Sequence, residues 1–169
     1  MDNTITYKKI IIIACIISIL LGVFLSFAYD ISGRNVLVGL FAPVNESVWE
    51  HLKLLFIPFT LFSIFFYFYT KRKFSNMLLV TFFGNLLGSF VIVTLYYIGT
   101  MIFSKDNMIF NIIAYVLGVV TAYIVLYLGI YSKEFIEDTR DSTALGIAAL
   151  SILFVLFILN TYFPLRIDL

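Results

Sequence analysis

The chain is predicted to be an all-α, polytopic transmembrane helix bundle of about five spanning helices, and three observations predict it. Of its 169 residues, 62% are apolar and only 12% are charged, with a mean hydropathy of +1.06, against roughly a quarter charged in an ordinary soluble domain. Five runs, 10–29, 54–70, 74–104, 107–132 and 142–165, contain no Asp, Glu, Lys, Arg or His. A helix needs about 20 predominantly apolar residues to cross a hydrocarbon core of about 30 Å. Four runs meet this alone, and the 54–70 run does if its helix begins a few residues earlier. The segments between the runs are short, so residues 1–169 form a single integral-membrane domain with no room for a soluble one.

The spans are placed at about 8–28, 46–70, 75–101, 108–132 and 142–163. The first has Lys8 and Lys9 ahead of it and Ser26-Phe27-Ala28 near its end, which resembles a signal-peptide cleavage site. Its apolar stretch exceeds the usual signal length and bulky Phe24, Leu25 and Phe27 crowd the site, so retention as a helix is expected. Ser18, Gly22, Ser26 and Asp30 recur at intervals of four and share one helical face. The second span begins near Pro43 and Asn45, a favoured N-cap, and carries Pro58 in its interior. The third holds Gly84-x-x-x-Gly88, which permits close approach of a neighbouring helix, and Asn85 in mid-span. Asn85 is either part of a packing seam or the lining of a polar cavity. The fourth and fifth carry scattered small residues such as Gly118 and Gly146.

Lys and Arg in the short loops set the orientation. With the N-terminus cytoplasmic, Lys8, Lys9, Lys71, Arg72, Lys73, Lys133 and Arg140 lie inside, and Arg34, Lys53, Lys105 and Arg166 outside. A multi-pass cell-membrane protein with residues 45–53 on the extracytoplasmic side is therefore expected. The bilayer is the expected partner. A net charge of +1 without a basic patch excludes nucleic acid. The lone Cys15 permits no intrachain disulfide. One His and one Cys exclude a multi-histidine zinc centre within one protomer. No metal site is expected, and no cofactor is identifiable. An odd span count without an internal repeat argues against a two-halved transporter in one chain, so transport would require a homo-oligomer.

Chemistry concentrates in Asn45-Glu46-Ser47-Val48-Trp49-Glu50-His51-Leu52-Lys53, which contains the only Trp and the only His. If Asn45 caps the helix, Glu46 and Glu50 share a stripe with Lys53, and His51 points about 100° away from Glu50. Glu46, Glu50 and His51 are the candidate catalytic residues, as general acids or bases. Asp30, Arg34, Asn35, Asn45, Trp49 and Asn85 are the candidate binding residues. The segment 36–42 is apolar but too short to span. Folded inward, it would deliver Arg34 and Asn35 towards Glu46 and Glu50. The alternative is an amphipathic outer turn with a Glu50–Lys53 ion pair and interfacial Trp49 and His51.

At these residues the chain resembles an uncharacterised family of small bacterial multi-pass membrane proteins. The resemblance runs through Ser32-Gly33, Val38-Gly39-Leu40-Phe41-Ala42-Pro43-Val44 and the motif Asn45 to Lys53, with Pro58 beyond. It implies no activity. It implies that Asn45, Glu46, Trp49, Glu50 and His51 are the residues to test. Three functions fit: a site that binds or acts on a lipid, lipid-linked or cationic ligand, a transporter or channel protomer, and a non-catalytic membrane partner protein.

Overall fold

The computed structural model describes residues 3–103, 107–131 and 140–163. They form α1 (Asn3–Ile31), α2 (Val36–Gly39), α3 (Val48–His51), α4 (Lys53–Tyr69), α5 (Met77–Ile102), α6 (Met108–Tyr131) and α7 (Arg140–Tyr162), with no strand among them. Leu52, between α3 and α4, keeps right-handed helical angles (φ −64, ψ −21), so the two read as one span. Five helices are long and apolar enough to cross a membrane: Ile5–Ile31, Val48–Tyr69, Met77–Ile102, Met108–Tyr131 and Asp141–Tyr162. The all-α, five-span expectation holds, with boundaries within three residues of those predicted.

The Val48–Tyr69 span is the most enclosed of the five, packed against α1, α5 and α6. Lipid tails are as apolar as the side chains, so bundle cohesion rests on close packing and interhelical hydrogen bonds. The tightest crossing joins α5 to α6. A Cβ built on Gly88 would lie 2.7 Å from the Gly118 carbonyl oxygen, and one on Gly118 would lie 2.8 Å from that of Gly88. Only glycine at both positions lets the backbones come so near. Phe59, Phe66, Met77, Val80, Val119 and Leu126 fill the interior around this crossing.

Pro58 has no N–H to give Leu54, four residues earlier. The Tyr115 hydroxyl of α6 approaches that Leu54 carbonyl at 3.4 Å and the Ser18 carbonyl of α1 at 3.2 Å. It sits against Gly22, where any Cβ would collide with it. Ser18 in turn bonds the Tyr123 hydroxyl at 2.7 Å. The polar face of α1 is thus divided. Ser18 and Gly22 form a seam with α6, whereas Ser26 bonds its own Val23 carbonyl and Asp30 is exposed.

α1 and α4 run in opposite directions, as do α4 and α5, and α7 returns antiparallel to α6. One end of the bundle therefore gathers the 30–53 region and the C-terminal end of α7. The other gathers the start of α1, the Lys71–Lys73 turn and the start of α7.

Candidate functional site

The motif helix starts later than its Asn45 suggests. Ser47 is the N-cap, its hydroxyl accepting from the Glu50 N–H at 3.3 Å. Asn45 instead accepts from the Ser47 N–H at 2.9 Å, a local turn in front of the cap. Ser47-Val48-Trp49-Glu50 is an S-x-x-E string, the sequence signature that marks this start. The expected Glu46–Glu50 stripe consequently does not form, because Glu46 precedes the cap and is not on the helix.

Glu50 and Lys53, three apart on one face, turn inward, and both side chains are essentially inaccessible (1% and 0% exposed). Lys53 Nζ donates to Glu50 Oε2 at 2.7 Å, to the Gly39 carbonyl at 3.0 Å and to Thr161 Oγ1 at 2.6 Å, which accounts for all three of its hydrogens. Glu50 Oε2 also accepts from the Val44 N–H at 3.0 Å. Thr161 of α7 has one hydroxyl hydrogen, for which Glu50 Oε1 at 2.7 Å and the Phe157 carbonyl at 2.9 Å are alternative acceptors. The ion pair predicted for an outer turn is present, but sealed inside the bundle end. A buried pair is tolerable when the remaining donors and acceptors are also bonded, and here they are.

The 30–44 segment contributes to this network through its backbone. Gly33 and Arg34 have positive φ (69° and 63°), which reverses the chain after α1. Arg34 then pairs back to Asp30 at 3.3 Å, both well exposed, and Asn35 caps α2 by accepting from the Leu37 N–H at 2.8 Å. Neither side chain reaches Glu46 or Glu50. The loop delivers Gly39 O and Val44 N–H instead.

Outside the sealed core, His51 Nδ1 lies 2.9 Å from the Ser47 carbonyl and Nε2 lies 3.4 Å from Glu46 Oε2. A carbonyl only accepts, so Nδ1 carries hydrogen, and the Glu46 contact is attractive when Nε2 does too. Glu46 is 98% exposed and His51 37%. Trp49 is half exposed and packs on Phe157, which in turn meets Phe56. Asn85, in mid-bundle, is buried and donates to Thr60 Oγ1 and the Thr81 carbonyl, both at 3.1 Å. It joins α5 to α4, and its Oδ1 has no hydrogen-bond partner among the described residues.

Below the network, a groove of about 250 Å³ is lined by residues of α4 and α7. Phe41, Phe56 and Phe154 stack at its motif end, and Ile57, Leu61, Ile64 and Leu150 line its length with Thr60 and Ser151. Among the described residues no group of three or more His, Cys, Asp or Glu is placed to hold a metal ion. Sequence reasoning missed Thr161 and Tyr162. Thr161 closes the network, and Tyr162 donates to the Val36 carbonyl at 2.9 Å. The polar run Asn160-Thr161-Tyr162 at the end of an apolar helix was the available signal.

The model of a family described as "Family of unknown function (DUF6512)" matches residues 1–169. No curated protein and no solved structure matches the chain. With the match covering the whole of its length, the chain belongs to that family of unknown function.

Proposed function

We propose that the protein binds a lipid or lipid-linked molecule in the leaflet beside the motif, which we place on the extracytoplasmic side. One chain of the ligand lies in the α4–α7 groove. Its polar end meets the rim of Glu46, Trp49 and His51, with the exposed Asp30–Arg34 pair at the same end of the bundle. The observation that carries this reading is the apolar groove directly beneath a fully bonded polar cap. The groove's lining is mostly hydrocarbon. The cap keeps α2, α3 and α7 in register above it. Asn35, Asn45 and Asn85 then support the site through caps and seams, and Glu50 holds the scaffold.

The experiment is native mass spectrometry of the full chain extracted from membranes, wild type beside Leu61→Trp, which fills the groove from its exposed side. Retained lipid falls in Leu61→Trp, and Glu46→Gln changes which headgroups are kept. Equal retention of the same lipids in all three proteins sinks the proposal.

One observation favours a second, enzymatic reading. With Nδ1 fixed on Ser47 O, His51 Nε2 faces outward beside a carboxylate, an arrangement suited to proton transfer. If His51→Gln keeps the lipid but stops its turnover in reconstituted membranes, the ligand is a substrate.

A further inference from the structure

The opposite end of the bundle holds a second cavity, of about 420 Å³, lined by Tyr67, Arg72, Ser75, Thr143, Ala144 and Ile147. Its walls come from the α4–α5 turn and the first turns of α7. The Thr143 hydroxyl donates to the Ser75 carbonyl at 2.6 Å and fixes the two walls together. Lys71 and Arg72 both hold positive φ (53° and 61°), which side chains other than glycine rarely adopt. The turn keeps that conformation through the Lys71 N–H on the Phe68 carbonyl and the Arg72 N–H on the Tyr67 carbonyl, both 2.9 Å. Arg72 has no carboxylate partner among the described residues; its guanidinium lies 5.5 Å from the Phe68 ring. Tyr67 is 8% exposed, and its phenol makes no hydrogen bond there. Tyr67 and the exposed Arg72 both line the cavity and both carry donors, so both can serve an acceptor bound there.

The geometry points to a binding site for the phosphate of an anionic phospholipid. Arg72 matches a phosphate bidentately, and Tyr67 supplies a neutral donor beside it. Lys71 and Lys73 add exposed positive charge on either side. The far wall, Ala144 and Ile147, is apolar and continues onto the exposed Leu145 face of α7, a path for the acyl chains. That mixture suits a headgroup still attached to its lipid better than a soluble anion, which has no use for the apolar wall. This inference concerns a different end of the molecule and does not depend on the α4–α7 groove.

The test uses the full chain in nanodiscs of phosphatidylcholine with or without phosphatidylglycerol, with bound lipid read by native mass spectrometry. Wild type retains phosphatidylglycerol in preference to phosphatidylcholine. Arg72→Gln reduces that retention roughly tenfold, and Tyr67→Phe reduces it less while leaving the fold intact. Lys9→Gln, an exposed cation outside the cavity, leaves it unchanged. Equal retention by Arg72→Gln and wild type overturns the proposal, as does an equal loss in Lys9→Gln, which marks general charge attraction. Displacement of the lipid by inorganic phosphate alone overturns the assignment of a lipid.

Discussion

At the motif end of the bundle, Glu50 and Lys53 are closed off from solvent and commit every donor and acceptor to each other, to Thr161 and to two backbone groups. At the opposite end, Lys71, Arg72 and Lys73 stand exposed on a turn with two left-handed residues, and Arg72 has no carboxylate partner among the described residues. The contrast separates two uses of charge beside a membrane. A sealed pair fixes three chain segments relative to one another, because each must supply a group at a set distance. An open cluster fixes nothing and is available to whatever approaches. Of the motif's charges, Glu50 and Lys53 therefore belong to the sealed scaffold, while Glu46 and His51 stay accessible beside Trp49.

The largest effect follows from breaking the sealed pair. Lys53→Met leaves the Glu50 carboxylate buried with no cation, which costs about 3–5 kcal/mol. A chemical-denaturation midpoint measured in detergent should fall accordingly. Emission from Trp49, the only tryptophan, should shift to the red as the helix loosens from Phe157. Adding Glu50→Leu to Lys53→Met recovers part of the loss, because no uncompensated charge remains. The Gly39 carbonyl and the Val44 N–H stay unbonded, so recovery is incomplete by about 1–3 kcal/mol. A single variant no worse than the double would show that the pair is wet.

Thr161→Val comes next. It removes one acceptor from Lys53 and one donor from Glu50 without changing shape, at about 1–3 kcal/mol, and Thr161→Ser should restore most of it. At the other end, Lys71→Gly should move stability the opposite way. It relieves a left-handed conformation worth roughly 1–2 kcal/mol and gives back part of that in unfolded-chain entropy. A net rise in the midpoint is expected with Trp49 emission unmoved. A fall would mean that the Lys71 side chain contributes a contact that outweighs the strain.

The five spans were legible because charge-free runs of adequate length have few other fates. The site was legible only in part, and the reasons are specific. Asn45 and Ser47 are both good N-caps, and Pro43 just ahead favours the earlier one. Only the S-x-x-E string separates them, and choosing Asn45 puts Glu46 on a helix face it does not occupy. The inward turn of Glu50 and Lys53 depends on Thr161, 108 residues from Lys53, and on backbone groups of Gly39 and Val44. Backbone donors and acceptors have no sequence signature, so no spacing argument finds them. Asn85 shows the same limit. Its mid-span position suggested a cavity lining or a seam, and it bonds across to Thr60 of α4 and back within α5 to the Thr81 carbonyl.

The smallest effect is the one that discriminates best within the motif. Glu46 and Glu50 are four residues apart and chemically identical, yet the Glu46 side chain is 98% exposed and Glu50 is sealed. Glu46→Gln should leave both the denaturation midpoint and Trp49 emission unchanged, since an exposed ion pair contributes little and nothing packs on it. What it changes is His51 alone. Loss of the carboxylate 3.4 Å from Nε2 should make the imidazole more reactive towards diethyl pyrocarbonate, an acylating reagent read by absorbance. Glu50→Gln should instead lower the midpoint, with His51 altered only as the helix itself loosens. If Glu46→Gln destabilises as Glu50→Gln does, the two carboxylates belong to one network, and the division of the motif into a sealed scaffold and an open rim fails.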